Sequence, residues 1–356
     1  MAMRIKKLSE AIEAAGIDAY LVTQSPNVFY FTNSISGGYL IVSPDSDPLL
    51  LAARLNLACA LDQAKGCDVR PYTREDILDQ IMAKLEEIGP STIGFDDLSL
   101  KLYKDLSERL GGAELKDESE VVKKMRMVKD ADEVKLMRRA GALADIGMEA
   151  IKDSLGEGVA EHEVAAEAAY AMRKNGADDL AFPFIVVSGH RSAYPHGGVT
   201  DRKIRRGEFV TVDMGASYRE YKTDITRTFI IGSPESKQKT IYETVLEANL
   251  AAHDKIREGA NGADVHNMAM VVIEKAGFGE YFIHGLGHGV GLEVHEGPSL
   301  GKTSKDTLRA GNVVTNEPGI YIRGYGGVRI EDTVLVTRSE PERLTKTPKD
   351  IDSMIV

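Results

Sequence analysis

The first 161 residues contain no histidine; all eight lie at or after His162. Chemistry that needs an imidazole therefore belongs to the second half of the chain. Cysteine is almost as scarce. Cys59 and Cys67 are the only two, with no CxxC or Cys/His cluster around them, so a thiolate zinc site is not expected. They read as two reduced thiols of a cytoplasmic protein; a disulfide across the helix pattern between them stays open but has no support. A basic surplus is missing as well. The formal net charge is −11, which argues against nucleic acid and against an anionic membrane as partners. No apolar run approaches a membrane span. The opening MAMRIKKLSEAIEAAG carries charge where a signal peptide needs an apolar centre. Neither a solenoid repeat nor a low-complexity segment is visible.

What is present suggests two domains, because 356 residues exceed a typical single core. Up to residue 127 the patterns alternate. AYLVT (19–23), YLIVS (39–43) and PLLLAA (48–53) read as strands, and three amphipathic stretches stopped by glycine read as helices. This is an α/β pattern. The boundary falls near KDADEVKLM, giving domains 1–127 and 128–356. Asp130 with Glu133 three residues later forms a capping box, so a long helix is expected from Ala131 to Leu155. A second helix, about 160–175, precedes strands at 184–188, 208–216 and 221–232. Helices at 237–256 and 263–276 follow, and strands close the chain. The second domain reads as α+β.

Two acid pairs stand out. In VDMGASYREYKTD, Asp213 and Asp224 are symmetric about the Tyr218–Arg219 step, so a hairpin centred there sets them face to face. Like charges so placed repel unless a cation lies between them. Taken alone, an edge hairpin with two incidental aspartates reads the same way. In NEPGIYIRGYGGVRIED, however, Glu317 and Glu331 are symmetric about Gly324, and coincidence becomes the weaker account. HGLGHGVGLEVHEGP adds His284, His288 and His295. A phosphate loop is disfavoured there, because no strand–loop–helix frame and no Lys-Ser/Thr accompany the glycines. Alternating glycine suits close backbone approach instead. Four carboxylates and one neutral imidazole match the charge of two divalent cations. The oxygen-rich set suits manganese, cobalt or iron, and tolerates zinc. Two such ions about 3.5–4 Å apart share a water and lower its pKa, which points to amide or ester hydrolysis.

The order of RSAYPHGG, VDMGASYREYKTDITRTF, GLGHGVGLEVHE, NEPGIYI and GGVRIEDTVLVT resembles the creatinase/prolidase group of metallopeptidases, with its pita-bread fold. Within it the chain looks most like Xaa-Pro dipeptidases, with Xaa-Pro aminopeptidases next. The resemblance covers nearly the whole chain. It implies a creatinase-like N-terminal domain, a homodimer and short proline-containing peptides as substrates. It implies that Asp213 binds one metal, that Asp224 and Glu331 bridge both, and that His288 and Glu317 complete the first site. A bridging hydroxide would attack the peptide carbonyl, with Glu317 as proton acceptor. His196 and His295 match histidines that stabilise the oxyanion and bind the substrate backbone, and Arg329 would hold the carboxylates in place. Creatinase-type amidinohydrolases lack the metals, methionine aminopeptidases lack such an N-terminal domain, and non-catalytic relatives lose ligands; all five ligands stand here.

One departure concerns specificity. Prolidases commonly carry an arginine soon after VHE that grips the dipeptide carboxylate. Ser299 stands there in this chain, which favours tolerance of longer peptides. Lys302 nearby offers only a point charge.

Overall fold

The computed structural model describes residues 2–356. The chain divides into two compact units, Met1–Arg126 and Met127–Val356. In the first unit the elements run α1 (Ala2–Ala14), β1 (Ala19–Val22), α2 (Ser25–Thr32), β2 (Tyr39–Ser43), β3 (Ser46–Ala53), α3 (Leu57–Gln63), β4 (Asp68–Tyr72), α4 (Ile77–Ile88), β5 (Thr92–Phe95), α5 (Leu100–Arg109), β6 (Glu114–Asp117) and α6 (Ser119–Met127), whose last residue falls in the second unit. The strands form one sheet in the order β4-β3-β2-β1-β5-β6. β1, β2 and β3 pair antiparallel in series, and the outer neighbours are parallel. Leu21, Ile41, Leu51, Ile81, Leu85 and Leu106 pack in its core. Helix α2 has no counterpart in the strand and helix patterns of the sequence. Its run SPNVFYFT has a proline in its first turn and buries six consecutive residues, so it shows no amphipathic period.

The second unit begins with α7 (Ala131–Ser154) and α8 (Glu161–Lys174). The cap of α7 is as the sequence suggests: Asp130 accepts from the Glu133 amide, and Glu133 accepts from the Asp130 amide at 2.9 Å. Strands β7 (Asp179–Leu180), β8 (Ile185–Ser188), β9 (Phe209–Met214), β10 (Ala216–Tyr218), β11 (Tyr221–Lys222) and β12 (Ile225–Ile230) follow. They form the three-stranded sheets β12-β9-β8 and β11-β10-β7. Helices α9 (Ser236–His253) and α10 (Gly262–Lys275) lead to β13 (Gly287–Gly289), β14 (Glu296–Leu300), β15 (Val313–Asn316), β16 (Gly319–Ile322), β17 (Gly326–Arg329), β18 (Asp332–Leu335) and β19 (Glu342–Arg343). These make the sheet β14-β13-β15-β18-β19 and the β16–β17 hairpin. One apolar cluster joins α7, α8, α9 and α10 to the strands, including Leu143, Met148, Val212, Phe229, Val245 and Val334. Mixed helices and sheets around it give the α+β class. Cys59 and Cys67 are both free. Among the described residues, no helix is long and apolar enough to cross a membrane.

Candidate metal centre

Asp213 sits near the end of β9, and Asp224 just precedes β12. The expected face-to-face register of this hairpin needs correction. Tyr218 pairs with Tyr221, and the two turn residues are Arg219 and Glu220, at φ 48° and 69°. A two-residue hairpin turn wants both central residues at positive φ, and here non-glycine residues accept it. The centre moves by one residue, so Asp213 pairs with Thr226 and not with Asp224. A two-residue shift in partner keeps the face, because side chains alternate with period two. Asp213 and Asp224 are thus diagonal neighbours on one face. The second hairpin keeps the expected register. Tyr321 pairs with Gly327, which centres the turn on Gly324 at φ 79°. Asn316 opposite Asp332 continues the same register in the β15–β18 ladder. Glu317 and Glu331 fall between the two ladders, free of strict sheet geometry.

The structure brings Asp213, Asp224 and Glu331 together, with one oxygen from each within 4.8 Å of the others. Asp213 and Glu331 are each tied at one oxygen and free at the other. Arg329 donates to Asp213 Oδ2 at 2.5 Å, and Thr226 donates its hydroxyl to Glu331 Oε2 at 2.6 Å. Asp213 Oδ1, Asp224 Oδ1 and Glu331 Oε1 are buried without any hydrogen-bond partner. Buried oxygens of this kind are costly and rare unless a cation meets them. His288 closes the other side. Its Nδ1 donates to the Gly289 carbonyl at 3.1 Å, which leaves Nε2 3.3 Å from Glu317 Oε1 and 3.9 Å from Asp224 Oδ2. The glycines flanking His288 are required by close approach. A Cβ at Gly287 would lie 2.2 Å from the Thr315 carbonyl oxygen, and one at Gly289 would lie 2.0 Å from that of Gly297.

The electrostatics say the same. Burial, then Glu331 and Asp213, push the Asp224 carboxyl well above its usual range. Burial, then Glu317 and Asp213, push Glu331 up against the pull of Arg329. Burial would raise Glu317 too, but the hydrogen bond and charge of His288 hold it at about 2. His288 is raised in return, Glu317 overcoming its burial. Two acids that resist ionising beside free oxygens fit a site built for divalent cations, and the oxygen-rich set with one imidazole suits a hard or borderline metal.

These residues open onto a cavity of about 1040 Å³, also lined by His196, His284, His295 and Arg329. His196 is carried on a loop that Arg191 ties down, donating to the Gly197 carbonyl at 2.7 Å and pairing with Glu161. The rings of His295 and His288 lie 4.1 Å apart. Arg329 hydrogen-bonds Asp213, on a strand of another sheet, and not its sequence neighbour Glu331. It also donates to Thr226 Oγ1 at 3.0 Å and to the Tyr321 hydroxyl at 2.9 Å. The sequence reading did not single out Thr226 or Tyr321. Thr226 was findable, since it shares a strand face with Asp224. Ser299 and Lys302 are absent from the lining; Ser299 is exposed on β14, and its amide donates to Asp306 Oδ2 at 2.8 Å.

Comparison with known proteins bears on this site. The model of Metallopeptidase family M24 matches residues 135–338, and that of the Creatinase/Prolidase N-terminal domain matches residues 4–128. An Xaa-Pro dipeptidase of Pyrococcus furiosus is 39% identical over 353 residues, covering 99% of this chain and 100% of that protein. The solved structure of an Xaa-Pro dipeptidase from Bacillus anthracis matches with a TM-score of 0.95 at 38% identity, covering 100% of both chains. That of an X-Pro aminopeptidase from Thermotoga maritima matches with a TM-score of 0.91 at 33% identity, covering 99% of each.

Proposed function

The chain belongs to metallopeptidase family M24, and we propose that within it the protein is an Xaa-Pro dipeptidase acting on short proline-containing peptides. The observation that carries the metal-dependent part is the set of three unpartnered carboxylate oxygens on Asp213, Asp224 and Glu331. With His288 and Glu317 they would hold two divalent ions, manganese or cobalt before zinc or iron. Bound ions of this kind supply Lewis acidity and an acidified water. The chain's own groups do the rest. Arg329 and Thr226 each tie one carboxylate oxygen and so aim the other. Glu317, held anionic by His288, can accept the proton of the attacking water. His196 and His295, on the cavity wall, can donate to the oxyanion that develops on the scissile carbonyl.

A second reading has an observation in its favour. Arg329 is the one arginine or lysine lining the cavity among the described residues, and Asp213 already occupies it. No lining cation is then dedicated to the C-terminal carboxylate of a dipeptide, which favours an Xaa-Pro aminopeptidase that accepts longer chains. The test is hydrolysis of Xaa-Pro beside Xaa-Pro-Yaa peptides with added Mn²⁺ or Co²⁺. Preference for the dipeptide supports the first reading and preference for the tripeptide the second. Activity that survives exhaustive chelation removes the metal-dependent part of both. The same reading includes a cytoplasmic homodimer, on the family resemblance; a sedimentation mass of one 38.8 kDa chain would exclude the dimer.

A further inference from the structure

Behind Glu317 and Glu331, away from the cavity, one side chain serves both. Asn249 lies on α9 and is fully buried. Its Nδ2 donates to the carbonyl of Asn316 at 2.9 Å and to the carbonyl of Ile330 at 3.0 Å. Those are the residues immediately before the two glutamates. Its Oδ1 accepts from Lys349 at 2.5 Å, and its main-chain carbonyl accepts from Asn316 Nδ2 at 2.8 Å. Every polar group of the side chain is used.

The break between the two ladders explains why an amide is wanted here. Glu317, Pro318, Ile330 and Glu331 lie between the pairs Asn316–Asp332 and Gly319–Arg329. Pro318 has no N–H to give a ladder. The amides of Glu317 and Glu331 leave the hairpin altogether, donating to the carbonyls of Leu286 and Thr226. The break frees both glutamates to turn toward the cavity, and it leaves their spacing to be fixed from outside the hairpin. Asparagine is a poor choice for a helix interior surrounded by Val245, Ala248 and Ala252, all buried. Its two amide protons match two carbonyls that belong to opposite strands of the hairpin.

We propose that Asn249 is a positioning residue for the metal centre: its amide sets the distance between the backbones at Glu317 and Glu331, so that their carboxylates are pre-arranged for cations. This rests on the reading of those glutamates as metal ligands. Asn249 touches neither the cavity nor any ligand oxygen, and it acts through the two carbonyls alone.

The test is cobalt titration of chelator-stripped protein, read by equilibrium dialysis and by the visible Co²⁺ spectrum. Asn249→Leu keeps the size and removes both donors. The expected result is a folded protein by circular dichroism whose cobalt dissociation constant rises roughly 10- to 100-fold at one site or both, with an altered spectrum. At saturating cobalt, kcat should fall while KM for an Xaa-Pro dipeptide changes little. Tyr242→Phe is the control on the same helix. It deletes the bond from the Tyr242 hydroxyl to the Lys349 carbonyl, 3.0 Å long, and touches neither glutamate, so cobalt affinity should hold. Folded Asn249→Leu with wild-type affinity and spectrum overturns the proposal. If Asn249→Leu does not fold, Asn249→Ser decides with its single hydroxyl donor: weakened cobalt binding supports the proposal, and unchanged binding overturns it. Wild-type protein that takes up no cobalt overturns the metal-centre reading itself, and the proposal with it, before any variant is measured.

Discussion

Glu331 and Asp332 are consecutive, and each is only 1% exposed, yet they are held in opposite electrostatic states. Asp332 opens β18, while Glu331 lies in the break before it and lines the cavity. Asp332 meets three cations of its own chain. Arg227 donates to its Oδ1 at 2.7 Å, Lys349 to its Oδ2 at 2.7 Å, and Arg343 to Oδ2 at 3.5 Å. Burial alone would raise its carboxyl, and these charges, Arg227 first, hold it far below the usual carboxylate range. Glu331 has a hydroxyl on one oxygen and nothing on the other, and burial with the acids Glu317 and Asp213 outweighs the pull of Arg329. Strand β12, in another sheet, repeats the division, with Thr226 serving Glu331 and Arg227 serving Asp332. Burial does not tell a structural acid from a functional one. The completeness of its partners does.

That contrast can be broken by substitution. Glu331→Gln and Asp224→Asn should take activity to background and lower the bound metal, measured by turnover and by elemental analysis. The metal-free variants should melt no lower than the metal-free wild type, because each removes a repelled charge. Should metal-free Glu331→Gln melt well below wild type, Glu331 is structural like its neighbour and the contrast is lost. Asp332→Asn should do the reverse. It leaves Arg227, fully buried, without its ion-pair partner, and the loss on urea unfolding should be about 3–5 kcal/mol. A stability change close to zero would mean that Lys349 and the carbonyls around Arg227 carry that cluster without the carboxylate.

The cavity wall sharpens the comparison further, since it holds groups that face the site without belonging to the acid cluster. His196→Ala and His295→Ala should each lower kcat by roughly 10²-fold, as the loss of an oxyanion donor does. Metal stoichiometry should stay at the wild-type value. If either variant loses metal, that histidine belongs with His288 as a ligand.

Legibility in the sequence follows the range of the forces involved. The cap of α7 is local, so Asp130 and Glu133 announced it. The Glu hairpin is centred by Gly324, whose residue type marks the turn, and its register could be counted. The Asp hairpin is centred by Arg219 and Glu220, which give no turn signal, and its register was misjudged by two positions. The face survived because two is the strand period. Helix α2 left no mark because all its sides are buried among apolar and aromatic residues. Arg329 was legible as a holder of carboxylates, but its partner is Asp213, a contact made only when two sheets meet. Asn249 and Lys349 lie in no motif, and Arg227, inside VDMGASYREYKTDITRTF, carried no reading of its own. Their importance lies in carbonyls and charges brought from 17 to 121 residues away.

The smallest effect expected is at Ser299. The sequence alone suggests that Ser299→Arg should lower KM for dipeptides, since a charge-assisted bond to the substrate carboxylate is worth about 1.5–3 kcal/mol. The structure tempers this. Ser299 is exposed outside the cavity lining, and its amide already contacts the Asp306 carboxylate at 2.8 Å. An arginine at that position would meet Asp306 before it met a substrate. A solvent-exposed pair of this kind is worth only about 0.2–1 kcal/mol, but it is intramolecular and always present, so it competes for the guanidinium. The neighbouring Leu300 carbonyl lies against Gly285, which does line the cavity, so a long side chain has a short way to go. Ser299→Arg should therefore shift the ratio of dipeptide to tripeptide kcat/KM toward dipeptides by less than about tenfold, which is 1.4 kcal/mol. Removing the competitor in the double variant Ser299→Arg/Asp306→Asn should enlarge the shift. If the single and double variants both leave the ratio at its wild-type value, position 299 plays no part in reading the substrate's C-terminus, and Arg329 or the cavity histidines become the groups to examine.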